Sequence, residues 1–223
     1  MIPVVAFIGP HAVGKTTLVV KVIEVLKAKG LRVGVLKSSK ESRGETDRPG
    51  TDTFRYRAVG ANPVALWARE EVVVYRESLP RETGFWSILF QNFADCDLVI
   101  AEGFKNLAFI PKIEIARREI SQKLLLEEVP GVVALVSDFK PRVSRPVFDL
   151  EDIEGIANFI QERFYRVLGP EVELLVDGKP IGLTRYVRQV LLGIMDGFLT
   201  SLRDVPYPFS KVELKVKTKA IRC

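Results

Sequence analysis

Residues 4–30 read VVAFIGPHAVGKTTLVVKVIEVLKAKG, and the order of features in this stretch decides the fold. An apolar run of strand length comes first. A glycine-bounded loop follows, then a helical stripe of Leu18, Val19, Val22, Ile23, Val25 and Leu26 that Gly30 stops. The loop, Gly9-Pro10-His11-Ala12-Val13-Gly14-Lys15-Thr16, matches G-x-x-x-x-G-K-[ST] in full, between a strand and a helix as the chemistry requires. Its glycines let backbone N–H groups of Gly9, His11, Ala12, Val13 and Gly14 curl toward phosphate oxygens, and the helix N-terminus adds positive potential. Lys15 would bridge the terminal phosphates and the Thr16 hydroxyl would ligate Mg²⁺. His11, the single histidine of the chain, counts here for its place in the cradle, since backbone rather than side chain does the binding.

The strand LRVGVLKS after Gly30 completes a βαβ unit, and DLVIAEG, KIEIAR and VVALVSD supply further strands. TFRYRAVGA and GFWSILFQNFA read as helices, PVALWA and EVVVYR as paired strands joined through Arg69 and Glu70. The final helix of this series, LEDIEGIANFIQERFYRVL, is expected to be capped by Asp149. Strands alternating with helices imply an α/β three-layer sandwich around a mostly parallel sheet, spanning residues 1–168. Gly169-Pro170 then opens a different pattern. The alternation of Val172, Leu174 and Val176 running into Asp177-Gly178 signals a hairpin, TRYVRQVLLGIMDGFLTSLRD an amphipathic helix, and KVELKVK a last strand. Residues 169–223 therefore read as a small α+β (ββαβ) interaction or dimerisation unit, with Gly193 and Gly197 allowing close approach of another element.

Thirty-three basic against 28 acidic residues are interspersed without a block of like charge, which favours an ordinary mixed surface over a nucleic-acid footprint. Two cysteines give neither a metal cluster nor a spaced disulfide framework, and no apolar run approaches the length of a membrane helix. With no basic leader before the first strand, the expected compartment is the cytoplasm.

In an α/β sheet ligands gather at the carboxyl ends of the strands, so Glu102, which ends DLVIAE, is placed near the phosphates. It would hold Mg²⁺ through water or orient an attacking water, which with Lys15 makes it the catalytic pair. Ser38–Asp52 is a long polar loop whose Asp47 and Asp52 stand where a switch segment would, with Lys37 beside them. Asp138, just past a strand end, offers a carboxylate to two guanine donors, or it is simply a turn-forming Asp.

The segments GPHAVGKTTL, RVGVLKS, DRPGTDTFRYRAVGA, DLVIAEGFK, PKIEI, ALVSD and VFDLEDIEGIANFI come in the order seen in the MobB family, the molybdopterin-guanine dinucleotide biosynthesis adapter proteins, which residues 2–165 resemble. The resemblance implies a GTP- and Mg²⁺-binding, dimeric protein with weak GTPase activity. It would work beside the molybdenum cofactor guanylyltransferase that attaches GMP to molybdopterin, with no nucleic-acid or membrane partner. It implies that Gly14, Lys15, Thr16 and Thr17 bind phosphates and Mg²⁺, that Glu102 and Gly103 sit by the terminal phosphate, and that Asp47, Asp52 and Arg55 belong to the loop over the cleft. Two departures stand out. Lys37-Ser38-Ser39 lacks the histidine that usually follows the lysine, and residues 170–223 lie outside the pattern. The same phosphate loop also suits a small-molecule kinase with Arg117 and Arg118 as lid residues, or a scaffold in which the nucleotide acts as a switch.

Overall fold

The computed structural model describes residues 2–39, 47–77, 81–121, 123–165, 172–203, 205, 208, 211–214 and 216, with side chains of 81–83 excepted. The apolar run becomes β1 (Val4–Ile8), and the stripe after the loop becomes α1 (Lys15–Ala28). Then come β2 (Val33–Lys37), α2 (Asp52–Ala58), β3 (Val64–Trp67), β4 (Val72–Tyr75) and α3 (Arg81–Asn92). β5 (Leu98–Glu102), β6 (Lys112–Ala116), a 3₁₀ turn (Leu125–Glu127), β7 (Val132–Ser137), β8 (Val147–Phe148) and α4 (Ile153–Phe164) follow.

Six strands form one sheet in the order β2-β5-β1-β6-β7-β8, and every neighbouring pair is parallel. All carboxyl ends therefore lie along one edge. Helices cover both faces, as a parallel sheet demands. Leu18, Val22 and Leu26 of α1 with Ile156 and Ile160 of α4 bury Val5, Phe7, Ile100 and Ile113. On the other face Phe85 and Leu89 of α3 bury Ala6, Ile8, Val99 and Leu135. This is the expected three-layer α/β sandwich.

Both faces being covered has a cost at β6, where Lys112 and Glu114 are fully buried. Lys112 Nζ donates to the carbonyls of Leu107, Ile110 and Pro130 at 2.7, 2.9 and 3.0 Å. The Glu114 carboxylate accepts the Leu125 and Leu126 amides at 2.6 and 2.8 Å, so it fastens the 3₁₀ turn to the sheet. Burial lowers the Lys112 ammonium from its ordinary value and raises the Glu114 carboxyl, which the two amides only partly offset.

The cap of α4 is a correction. Asp152 is the N-cap and accepts the Gly155 amide at 3.0 Å, whereas Asp149 accepts the Glu151 amide at 2.9 Å and shapes the turn before the helix. β3 and β4 pair antiparallel as expected, in a two-stranded sheet separate from the main one.

By spatial contiguity the chain divides into Met1–Gly169 with Leu175–Pro180, and Pro170–Leu174 with Ile181–Cys223. In the C-terminal region β9 (Leu174–Val176) and β10 (Lys179–Ile181) form a hairpin. Asp177 and Gly178 have φ of 49° and 75°, the positive pair that a type I′ turn needs. α5 (Arg185–Thr200) follows, capped by Thr184, whose hydroxyl accepts the Val187 amide at 3.3 Å. Described positions 211–214 and 216 of the expected last strand carry no strand pairing, and the rest of that segment lies outside the described residues, as do Gly169-Pro170.

Candidate nucleotide site

The loop after β1 is shaped by two steric demands. A Cβ on Gly9 would lie 2.7 Å from the Ile115 carbonyl oxygen, so only glycine lets the loop leave the sheet this closely to β6. Ala12 at φ 60° and Gly14 at φ 92° turn the backbone into the left-handed region. Successive amides consequently point inward as a nest. α1 starts with Gly14 at its N-cap, with no side-chain cap and no acid in its first turn. Its leading amides and the positive end of its dipole thus suit an anion.

Lys15 Nζ folds onto the loop and donates to the carbonyls of Gly9 and Pro10 at 3.1 and 2.6 Å. Burial lowers its pKa from the ordinary value, Glu102 opposes this and Lys37 reinforces it. β5 stands next to β1, with Phe7 opposite Glu102 and Glu102 opposite Lys37 in register. The Glu102 side chain is 11% exposed and receives the Thr16 hydroxyl at 3.1 and 3.0 Å, with Lys37 Nζ at 3.4 Å. Gly103, at φ 92°, turns the chain away from the sheet while its amide donates to the Phe7 carbonyl at 2.9 Å.

Thr16 and Glu102 present a hydroxyl and a carboxylate at one point beside the phosphate nest. That donor set fits Mg²⁺, which takes one or two protein oxygens and completes its shell with phosphate oxygens and water. Among the described residues no group of three or more His, Cys, Asp and Glu could hold a metal by itself. His11 and Thr17 are exposed on the rim.

The remaining expected site residues divide. Asp47 accepts the Thr51 and Thr53 hydroxyls at 3.0 and 2.9 Å and Arg57 Nη1 at 2.6 Å. Its carboxylate therefore anchors the start of α2, where Thr51 is the N-cap. Burial pushes this carboxyl up, but the bonds from Arg57, Thr53 and Thr51 outweigh it and hold the group below its ordinary value. Arg57 in turn lies 4.9 Å from the centre of the Tyr75 ring, which ties α2 to the β3–β4 hairpin. Asp52 and Arg55 pair loosely with each other at 3.9 Å on the exposed face of α2. Residues 40–46 of the expected switch loop lie outside the described residues. Asp138, exposed at the end of β7, accepts the Arg118 amide at 2.8 Å.

One neighbour of the loop was read differently from sequence. Arg117, at the end of β6, donates from Nε to the Val13 carbonyl at 2.9 Å. A lid assignment rests on the residue type alone, whereas the parallel pairing of β1 with β6 is what delivers Arg117 to the loop.

A parallel sheet with a phosphate nest after its central strand, a lysine and a hydroxyl at the helix start, and a carboxylate ending the adjacent strand define a P-loop α/β protein. Residues 4–138 match the model of the family described as MobB, molybdopterin guanine dinucleotide synthesis protein B, and the chain belongs to that family. It is 30% identical to the molybdopterin-guanine dinucleotide biosynthesis adapter protein of Escherichia coli over 73% of this chain and 93% of that protein. A putative adapter protein of Methanocaldococcus jannaschii is 25% identical over 96% of this chain and 97% of its own length, so the C-terminal region has a counterpart there. A crystal structure of molybdopterin-guanine biosynthesis protein B superposes with a TM-score of 0.55 at 25% identity, over 71% of this chain and 97% of that one. Among the described residues no helix is long and apolar enough to cross a membrane.

Proposed function

We propose that this protein is an adapter of molybdopterin-guanine dinucleotide biosynthesis that binds Mg²⁺-GTP and hydrolyses it slowly, assisting the guanylyltransferase that joins GMP to molybdopterin. The observation that supports it most directly is the convergence of Lys15, Thr16, Glu102 and Lys37 at an uncapped helix start, in a chain of the MobB family. The loop amides and Lys15 bind the phosphates. Thr16 and Glu102 hold the Mg²⁺, which when bound neutralises charge on the terminal phosphates. Glu102 also orients a water for slow hydrolysis. Asp138 selects guanine by accepting two N–H donors that adenine lacks. Slow turnover suits an adapter, because a bound triphosphate then persists long enough to be read by a partner.

Calorimetry of Mg²⁺ with GTP, GDP and ATP tests this. The expected result is GTP binding that ATP does not compete away and that Lys15→Ala abolishes; equal affinity for ATP overturns the base assignment. Residues 169–223 act as the interaction or dimerisation unit. Truncation after residue 168 is expected to leave nucleotide binding intact and to abolish self-association or capture of the guanylyltransferase. A truncated protein that still dimerises and still binds that enzyme overturns the assignment.

A further inference from the structure

Around the phosphate loop, the polar groups are not evenly distributed. Glu102 and Lys37 lie on the β5–β2 side of β1, with the Thr16 hydroxyl bonded to Glu102. These are the groups assigned above to terminal phosphate and metal, which leaves the opposite side, where β6 and β7 end, for the base.

The first group met there is Arg117. Its Nε donates to the Val13 carbonyl at 2.9 Å, and its Nη2, Nε and Cζ would lie 3.3, 3.8 and 4.0 Å from a Cβ on Gly14. The guanidinium therefore lies along the loop, at the last residue before α1. Its own backbone is fixed by a tight turn. The Arg117 amide donates to Ser121 Oγ at 3.2 Å, and its carbonyl accepts the Ile120 and Ser121 amides at 3.0 and 2.6 Å. The side chain itself contacts loop backbone. The neighbouring Arg118 amide binds Asp138 at 2.8 Å, which brings the β7 carboxylate to the same corner.

We propose that Arg117 is the base platform of the nucleotide site, its planar guanidinium stacking on the purine while its Nε keeps the platform in register with the phosphate loop through Val13. A guanidinium is flat, delocalised and weakly hydrated, and it stacks on aromatic rings where an ammonium cannot. This rests on the GTP-binding reading and adds to it the residue that grips the base whichever purine it is, leaving the choice of purine to Asp138.

The test compares Mg²⁺-GTP with inorganic triphosphate, which has no base to stack, by calorimetry on the full chain. Arg117→Ala is expected to weaken GTP about 10- to 100-fold, as loss of one base-stacking contact does, and to leave triphosphate within about threefold. Arg117→Lys is expected to recover only a small part of the loss. Unchanged GTP affinity in Arg117→Ala overturns the platform, and so does an equal loss for both ligands, which would make Arg117 a loop support. Full recovery by Arg117→Lys overturns it too, since charge alone would suffice. If the unsubstituted protein binds triphosphate but not GTP, the GTP reading itself fails, an outcome distinct from these.

Discussion

Helices α1 and α5 carry the same kind of apolar stripe and meet opposite fates. Leu18, Val19, Val22 and Leu26 of α1 are buried against the parallel sheet and α4. Val187, Val190, Ile194 and Phe198 of α5 recur at helical spacing just as regularly, and all four are exposed. No described residue from 172 onward is buried. An amphipathic period fixes which face a helix wants to cover, but the cover itself comes from elsewhere. For α1 it comes from strands brought in by long-range pairing within the chain, and for α5 no described residue supplies it.

The sharpest way to break this contrast is to place a charge in each stripe. Val22→Asp puts an unpaired carboxylate into a fully buried position and is expected to cost more than about 4 kcal/mol, a large share of the roughly 5–15 kcal/mol that keeps a typical domain folded. Ile194→Asp, at a position 59% exposed, is expected to change the melting transition by under about 0.5 kcal/mol while weakening self-association in sedimentation. Comparable unfolding by both substitutions would mean that α5 already has a packed partner within its own chain.

Glycines sharpen the contrast at smaller amplitude and with opposite signs. Gly9→Ala drives a Cβ against the Ile115 carbonyl and is expected to cost about 1–3 kcal/mol, with loss of phosphate binding as the loop shifts. Gly197→Ala meets open space in the last turn of α5 and is expected to stabilise it by up to about 1 kcal/mol, read by denaturant unfolding of the isolated protomer at low concentration. If the same substitution lowers the association constant at high concentration, Gly197 is where the partner approaches.

Why the first unit was legible follows from the same physics. The phosphate loop, the strand before it and Glu102 at the end of its apolar run are local patterns with one sensible geometry, and the family match over 4–138 covers them. The Asp177-Gly178 hairpin was equally local. What sequence could not supply was pairing at a distance. That β5 inserts between β1 and β2, bringing Glu102 opposite Lys37, is a fact of strand order. That Asp47 is engaged by Arg57 depends on α2 folding back over the residues before it. Lys112 and Glu114 alternate with Ile113 and Ile115 as if one face of β6 were wet, yet a parallel sheet buries both faces and leaves backbone groups to satisfy the charges. Asp149 and Asp152 are both plausible caps, and only the backbone decides between them.

Ion pairs give the smallest test of the two regions, and for the sheet its effect depends on pH. Asp97 accepts the Arg32 amide at 2.8 Å and both Nε and Nη2 of its guanidinium at 3.2 and 3.0 Å, joining the entrances of β2 and β5. The Arg32 side-chain bonds hold the Asp97 carboxyl below its ordinary value of 3.8, against some burial that raises it. A carboxyl lowered on folding contributes stability that is present above its unfolded pKa and is lost as pH falls through the folded one. Arg32 is largely exposed, so screening keeps the contribution below about 1 kcal/mol. Asp97→Asn is therefore expected to lower the melting temperature slightly at neutral pH and to converge with the unsubstituted protein once the pH has fallen through the folded pKa. The Lys211–Glu213 pair, at 3.1 Å between two half-exposed side chains, has no such anchorage in a sheet. Glu213→Gln is expected to leave the melting curve at neutral pH unchanged. A loss at neutral pH from Glu213→Gln as large as that from Asp97→Asn would show that the C-terminal region is held as firmly as the sheet, and the contrast between the two regions would fail.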